Sequence, residues 1–363
     1  MRLGLIAPIP PPYGGISNWV QMISSYIEEG NLEGVELTCI NTAPKKRSTE
    51  GRTLWNRVVG SGIRMVGILF QVKQAVKREK AEVLHITTSG QLALFRDIAV
   101  LFLAFRNRIP TVYHIRFGRV TQIAQENSIE WKLMKYALKL ASCIMVLDRN
   151  TEATLQEALG HEKMIRCIPN PIDTRREGKG QYFENKVVVF VGWVVKEKGI
   201  EELLEAWQAI SSVNKEWLLK IIGPIHPEYY KELKEKFSME HVIFEGERKH
   251  SEVIELLKVS SIFVLPSYTE GFPNAVLEAM LARMAIIATE VGAIPDMLKD
   301  DCGICIPKQN VVKLQHAIER LLASPEERRK LGTNAYKKAI EMYSLDIVMR
   351  KYKVVWDELL SNM

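Results

Sequence analysis

The sequence predicts an α/β chain of two doubly wound domains, each a parallel sheet wrapped by helices. Three observations predict it. Short apolar runs alternate with amphipathic stretches along most of the chain, the pattern of strand–helix–strand units joined by right-handed crossovers. The length, 363 residues, suits two cores better than one. A segment rich in proline, glycine and charge, Pro169–Gly180 (PNPIDTRREGKG), interrupts the alternation, which restarts at Val187.

Composition narrows the class. Apolar residues make up 47% and charged residues 25%, as in a soluble globular protein. No apolar run reaches the roughly 18 residues needed to span a bilayer, and Leu3–Ala7 is too short for a signal-peptide core. Five widely spaced cysteines, an odd number, fit a reducing compartment, so a cytoplasmic protein is expected. Cys302 and Cys305 form a lone CxxC that reads as ordinary strand. Residues 1–170 carry 22 Lys and Arg against 14 Asp and Glu, and the remainder 27 against 29, so the first half is the basic half. An anionic partner or surface is one reading of that excess; solvated faces are the other.

In order, the first domain (1–170) is expected to hold strands at Arg2–Ala7, Val35–Ile40, Glu82–Thr87, Pro110–Ile115, Cys143–Leu147 and Ile165–Ile168. Helices fall between them at Ile16–Glu29, Leu54–Lys80, Gln91–Phe105, Trp131–Leu140 and Asn150–Leu159. Asn41–Arg52 is polar and basic and reads as a loop. The second domain (171–344) is expected to have strands at Val187–Val191, Leu218–Ile222, Val242–Phe244, Ile262–Leu265 and Ala285–Ala288. Its helices are expected at Ile200–Ile210, Pro227–Phe237, Ser251–Lys258, Asn274–Arg283, Val311–Ala323 and Pro325–Tyr343. A last helix, about 345–363, is expected to pack back on the first domain.

Chemistry concentrates in Ile262–Pro295. A buried strand runs into a turn, Pro266–Gly271, and then a helix from Asn274. The first N–H groups of a helix lack intrahelical partners and its dipole is positive there, so that end suits a phosphate. Glu270 and Glu278 flank the point, and a ligand carrying both phosphate and hydroxyls, such as a sugar nucleotide, matches the set. Gly14 and Gly15 stand after the first strand, where glycine lets a backbone approach a ligand, although a plain turn explains them equally well. Ligands of such sheets sit outside the carboxyl ends of the strands, so two sheets facing across a cleft would gather the loops at Gly14–Gly15, His114–Arg119, Gly192–Gly199, Gly246–His250 and Glu270–Asn274.

The segment PSYTEGFPNAVLEAM, with Glu270 and Glu278 separated by seven residues, resembles the signature of the family 4 retaining glycosyltransferases (glycosyl transferases group 1) of the GT-B fold. The likeness covers most of the chain. Gly14–Gly15 match the family's first glycine turn, His114 its strand-end histidine, Ile168–Asp173 its interdomain segment and Gly192–Gly199 (GWVVKEKG) its donor loop. Trp193 stands where the family usually has arginine, and Leu281–Ala285 keeps neither the glycine nor the proline of the usual A-x-G-x-P.

The resemblance implies two Rossmann-like domains, the first acceptor-side and the second binding a nucleotide-diphosphate sugar, UDP- or GDP-linked. It implies transfer of the sugar to an acceptor hydroxyl in cell-envelope, exopolysaccharide or glycolipid synthesis. His114 and Glu270 are the expected catalytic residues. Gly15, Gly192, Lys198, Gly271, Phe272, Pro273, Asn274 and Glu278 are the expected donor-binding residues. Glu278 would take ribose hydroxyls, Glu270 hydroxyls of the donor sugar, and Lys198 the leaving diphosphate. Arg116, Arg119 and Arg248 are candidates for an anionic acceptor or the phosphates. No D-x-D triplet occurs, so metal-independent transfer without a further cofactor is expected. The expected acceptor is a saccharide or lipid-linked saccharide. Nucleic acid is not an expected partner. The basic Lys45–Arg64 region with Trp55, and the apolar helix Leu92–Phe105, are candidates for resting on an anionic membrane face, at the inner side of the cytoplasmic membrane. Two alternatives stay open: a non-catalytic sugar-nucleotide-binding subunit and a sugar-nucleotide epimerase of the same architecture.

Overall fold

A computed structural model describes residues 1–11, 14–43, 54–175 and 185–362, with backbone alone for 54–64. The basic loop around Lys45 and residues 176–180 of the Pro169–Gly180 segment lie outside the described residues, as does the Trp55 side chain. The chain divides into two compact units, 1–171 together with 345–363, and 172–344.

The first unit alternates β1 (Arg2–Ala7), α1 (Gly15–Glu28), β2 (Glu36–Asn41), α2 (Leu54–Lys77), β3 (Val83–Thr88), α3 (Ala93–Arg106) and β4 (Thr111–Ile115). It continues with α4 (Val120–Gln125), α5 (Ile129–Leu140), β5 (Cys143–Val146), α6 (Arg149–Leu159) and β6 (Ile165–Cys167). All six strands pair in parallel in the order β2-β1-β3-β4-β5-β6. β3, β4 and β5 are buried at every residue, which is why they do not alternate apolar with polar; β5 is wholly apolar, and His85 and His114 are polar positions inside β3 and β4. No element is expected from sequence at 120–125, where α4 forms; six residues are too few for a helical period to declare itself.

The second unit runs β7 (Val187–Val191), α7 (Ile200–Ser211), β8 (Leu218–Ile222), α8 (Pro227–Lys236), β9 (Val242–Gly246), α9 (His250–Lys258) and β10 (Ile262–Leu265). Then come α10 (Asn274–Leu281), β11 (Ala285–Thr289), α11 (Ile294–Leu298), β12 (Ile304–Ile306), α12 (Val311–Ala323) and α13 (Pro325–Tyr343). Its sheet is also parallel throughout, in the order β12-β11-β10-β7-β8-β9. The order reverses between β7 and β10, the place where doubly wound sheets open a crevice at their carboxyl edge.

The helix expected to reach Arg283 stops at Leu281. Arg283 takes φ 59°, a left-handed conformation that ends the helix, at the position where the family pattern has glycine. Its guanidinium lies over the Tyr336 ring at 3.9 Å, a contact that offsets part of the backbone cost. All five cysteines are free, and Cys305 lies in β12.

The last helix, α14 (Leu345–Ser361), belongs to the first unit. Val348, Met349, Tyr352, Val355, Trp356 and Leu359 are buried with Leu5, Val83, Val112 and Met145 in one cluster on a single face of the first sheet. Full burial of each large apolar side chain contributes about 1.5–3 kcal/mol, so this stripe of α14 is a substantial part of that core. Among the described residues, no helix is long and apolar enough to cross a membrane.

Candidate functional site

In the second unit, the loops leaving β7 and β10 flank the reversal point of the sheet, and side chains bind them together. The Lys198 ammonium donates to Glu270 Oε1 at 2.5 Å, and Ser267 Oγ donates to the same oxygen at 2.8 Å. The Tyr268 amide donates to the Glu197 carbonyl at 2.8 Å, tying the two loops by backbone as well. Glu270 is largely covered and Lys198 half-buried, so the pair is held in place yet reachable.

Two glycines make this packing possible. Gly199, at φ 71°, would carry a Cβ 2.1 Å from the Pro266 carbonyl oxygen. Gly292, at φ 55°, would carry one 2.2 Å from the Glu270 carbonyl oxygen. The Ala293 amide next to it donates to the Gly271 carbonyl at 2.9 Å. The turn bearing Glu270 is therefore clamped from both sides by backbone that tolerates no side chain.

Past Gly271 the chain turns into α10. Phe272 is buried with its ring edge-on to Tyr343, centroids 5.5 Å apart. Pro273 occupies the N-cap position, Asn274 is the first helical residue, and no side chain caps the helix. Glu278 lies about one turn in, and its Oε1 is 3.0 Å from His250 Nε2 at the start of α9. His250 is not among the residues singled out from sequence. Its only signal there is position, since the loop after β9 ends at it. Gly192 follows β7, with its amide donating to the Ile222 carbonyl at 3.0 Å. Trp193 is 60% exposed. Lys196 stands 3.8 Å from Glu201, and Arg248 donates to Glu245 at 2.6 Å.

The first unit gathers its own set. Gly15 opens α1, and a Cβ there would meet nothing within 4 Å. His114, fourth residue of β4, is 0% exposed, as is His85 on β3. Burial pushes both imidazoles down, His85 to about 3 and His114 well below the usual value, with the Arg116 charge adding to each. Arg116 follows β4, lies over the Trp19 ring at 4.1 Å and donates to Asn170 Oδ1 at 2.7 Å. Burial lowers its own pKa to about 10. Arg119 is held in a two-pronged pair with Glu130, both contacts 2.8 Å, and Glu130 also accepts from the Gln91 amide at 2.7 Å. Its guanidinium is thus tied to the loop that follows β3.

The structure thus brings Lys198, Glu270, Gly271, Phe272, Pro273, Asn274 and Glu278 together around one strand end, with Gly192 on the adjoining loop. Arg119 and Arg248 are each engaged by a carboxylate of their own unit. No group of three or more metal-ligating side chains occurs among the described residues.

Comparison with known proteins gives a consistent family. The family described as "Glycosyl transferases group 1" matches residues 171–338, and that described as "Glycosyltransferase Family 4" matches 13–176. An uncharacterized glycosyltransferase of Haemophilus influenzae is 25% identical over 287 residues, 78% of each chain. Among solved structures, sucrose-phosphate synthase from Thermosynechococcus elongatus superposes with a TM-score of 0.77 at 19% identity, covering all of both chains. Anabaena HepE in complex with UDP-glucose superposes with a TM-score of 0.70 at 15% identity, again over both full chains.

Proposed function

The chain belongs to the family 4 glycosyltransferases of the GT-B fold, and on that basis we propose that it moves a sugar, with retention of configuration, from a UDP- or GDP-linked donor to an acceptor hydroxyl. The acceptor in this reading is a saccharide or lipid-linked saccharide of cell-envelope, exopolysaccharide or glycolipid synthesis. The observation that carries it is the Lys198–Glu270 pair at the reversal point of the second sheet, beside the start of α10 and Glu278. The solved HepE complex with UDP-glucose supports a uridine donor by fold alone.

Departure of a nucleoside diphosphate develops negative charge on the leaving oxygens while the sugar carbon becomes oxocarbenium-like. Groups already aimed at that charge lower the barrier without reorganising. Lys198 and the backbone N–H groups of Phe272, Asn274 and Ala275 are assigned to the diphosphate; Pro273 has no N–H to give. Donor binding would draw Lys198 from Glu270 to phosphate, leaving the carboxylate to accept from hydroxyls of the sugar. Glu278 accepts from the ribose hydroxyls. With Trp193 in place of an arginine, and Lys196 and Arg248 beside carboxylates, Lys198 is the principal cation on the diphosphate. No carboxylate is assigned as nucleophile. The acceptor attacks from the face the diphosphate leaves, and a phosphate oxygen takes its proton. His114 and Arg116 of the first unit are assigned to the acceptor, and no metal takes part, so chelation by EDTA leaves the rate unchanged.

A thermal-shift panel of UDP-, GDP- and ADP-sugars tests the reading. A ligand that binds only the folded chain stabilises it by about 2.7 kcal/mol at 100 times its Kd, so the true donor should stand out from the panel. A flat response across every nucleotide sugar would sink it.

The same reading places the protein at the cytoplasmic face of a membrane. Phe95, Phe102 and Phe105 of α3 are 54%, 49% and 63% exposed and recur at helical spacing, with Arg106 and Arg108 at the helix end. Co-sedimentation with anionic vesicles should fall with rising salt and on changing Phe102 and Phe105 to serine. Equal recovery with neutral and anionic vesicles would reject membrane docking.

A further inference from the structure

We propose that Trp356, His85 and His114 form a directed hydrogen-bond chain that fixes His114 as a neutral imidazole with its proton on Nε2, which makes His85 and Trp356 positioning residues. The chain has an obligatory donor at each end, the Trp356 indole and the Arg116 guanidinium, and the nearer of the two, the indole, sets its direction. An indole N–H can only donate. Trp356 Nε1 lies 3.2 Å from His85 Nδ1, so that nitrogen must accept. A neutral His85 then carries its proton on Nε2, which is 3.1 Å from His114 Nδ1. His114 Nδ1 accepts in turn, and the only nitrogen left to carry its proton is Nε2.

With an obligatory donor at each end, any neutral assignment sets two hydrogens against each other somewhere; this one does so only at the longest contact, the 3.5 Å approach of Arg116 Nη1 to His114 Nε2, whereas the others do so at 3.1 or 3.2 Å, where neither ring has any exposed surface. An unmade hydrogen bond in such a place costs about 1–3 kcal/mol. Doubly protonated rings are excluded on the same geometry, because each would direct a second N–H at a donor. The charged and titratable groups facing the pair come from every side: Arg116 from the loop after β4, Tyr352 from α14, and each histidine from the other's strand. Trp19 of α1 closes the cage, its ring edge-on to His114 at 5.4 Å. None of these supplies a carboxylate that would favour an imidazolium.

The outer end of the chain tells what it is for. His114 Nε2 stands 3.5 Å from Nη1 of Arg116. With His114 protonated on Nε2 both carry hydrogens, so this approach is a donor–donor contact that an accepting oxygen would relieve, and the two converge on one region as donors. The complement of that pair is an oxygen that accepts, from a sugar hydroxyl or a phosphate. His114 in this state gives a hydrogen bond and does not remove a proton from an acceptor hydroxyl. That consequence for transfer rests on the site role proposed above for His114, whereas the protonation state does not.

The test is a long-range proton–nitrogen correlation spectrum of the full chain labelled with nitrogen-15 histidine. His114 should show an unprotonated Nδ1 and a protonated Nε2, unchanged from pH 8 to about pH 5, while exposed histidines titrate in that range. Trp356→Phe removes the obligatory donor, and both rings should move to intermediate nitrogen shifts, the sign of mixed tautomers. His85→Gln can accept from the indole with one amide atom and donate to His114 with the other, and should restore the His114 pattern. A wild-type His114 protonated on Nδ1, or on both nitrogens at neutral pH, would overturn the proposal, and so would a Trp356→Phe spectrum identical to wild type. Full sugar transfer by His114→Ala would instead remove the site role of His114 and leave the chain standing.

Discussion

Replacing Glu270 with alanine is expected to lower kcat for sugar transfer by about 10²–10³-fold, the usual loss when one preorganised polar group is taken from a developing charge. The substitution acts twice. It removes the acceptor proposed for the sugar hydroxyls, and it leaves Lys198 and Ser267 without the oxygen that both now address at 2.5 and 2.8 Å. An ammonium released from its partner no longer holds the position from which it meets the diphosphate. The fold should survive with a loss of about 1–3 kcal/mol, because Lys198 is half-buried and can reach water. Glu270→Gln keeps the shape and one acceptor but not the charge, and should fall between wild type and alanine. Initial rates with the donor found by thermal shift, alongside a melting curve for each variant, check this. A folded Glu270→Ala protein within tenfold of wild-type kcat would remove Glu270 from the site.

The second large effect is acid sensitivity of the first unit. His85 and His114 have folded pKa values below the unfolded value of 6.5, His85 at about 3, so the unfolded chain binds protons that the folded chain refuses. Stability from this source is fully present above pH 6.5 and is lost as pH falls toward 3. Each histidine contributes a slope of about 1.4 kcal/mol per pH unit in that window, so the pair together should remove about 2–3 kcal/mol between pH 7 and roughly 5.5. Asp97 works the other way: burial raises its carboxyl despite Arg96 beside it, which favours the folded state as acid is added. The Arg119 guanidinium holds the Glu130 carboxyl below its ordinary value of 4.5, so that group enters only lower in the window and the upper part belongs to the histidines. Urea unfolding at the two pH values should show the loss, and His85→Gln should reduce the slope by about half. Equal unfolding free energies at both values would contradict the buried, uncharged state of the two rings.

Much of the fold was legible because parallel strands buried on both faces leave continuous apolar runs between breakers. Val187–Val191, Leu218–Ile222 and Ile262–Leu265 are found with the bounds their sequences suggest. Val311–Ala323 and Pro325–Tyr343 are equally plain, each with its N-cap side chain, Asn310 and Ser324, in place. Short helices such as α4 and α11 are too brief to show a period. The end of α10 was hidden by Arg283, whose left-handed backbone no propensity anticipates.

The cluster at Glu270 was legible because one continuous stretch carries it. Two partners were not. His250 meets Glu278 across 28 residues of chain, and Trp356 meets His85 across 271. Contacts of that separation leave no local pattern; they exist only once α9 and α14 are laid on their sheets. His85 read as one polar residue in an apolar strand, and only its neighbours give it a task.

The most direct test of the central claim follows the donor by proton NMR during turnover, with wild type beside Glu278→Ala. The account predicts release of nucleoside diphosphate with the transferred sugar keeping its anomeric configuration, and a donor KM raised about 10- to 100-fold in Glu278→Ala as charged hydrogen bonds worth about 1.5–3 kcal/mol are lost. The acceptor KM should not move. Donor converted to an isomer without diphosphate release, or a Glu278→Ala protein with unchanged donor KM, would contradict it.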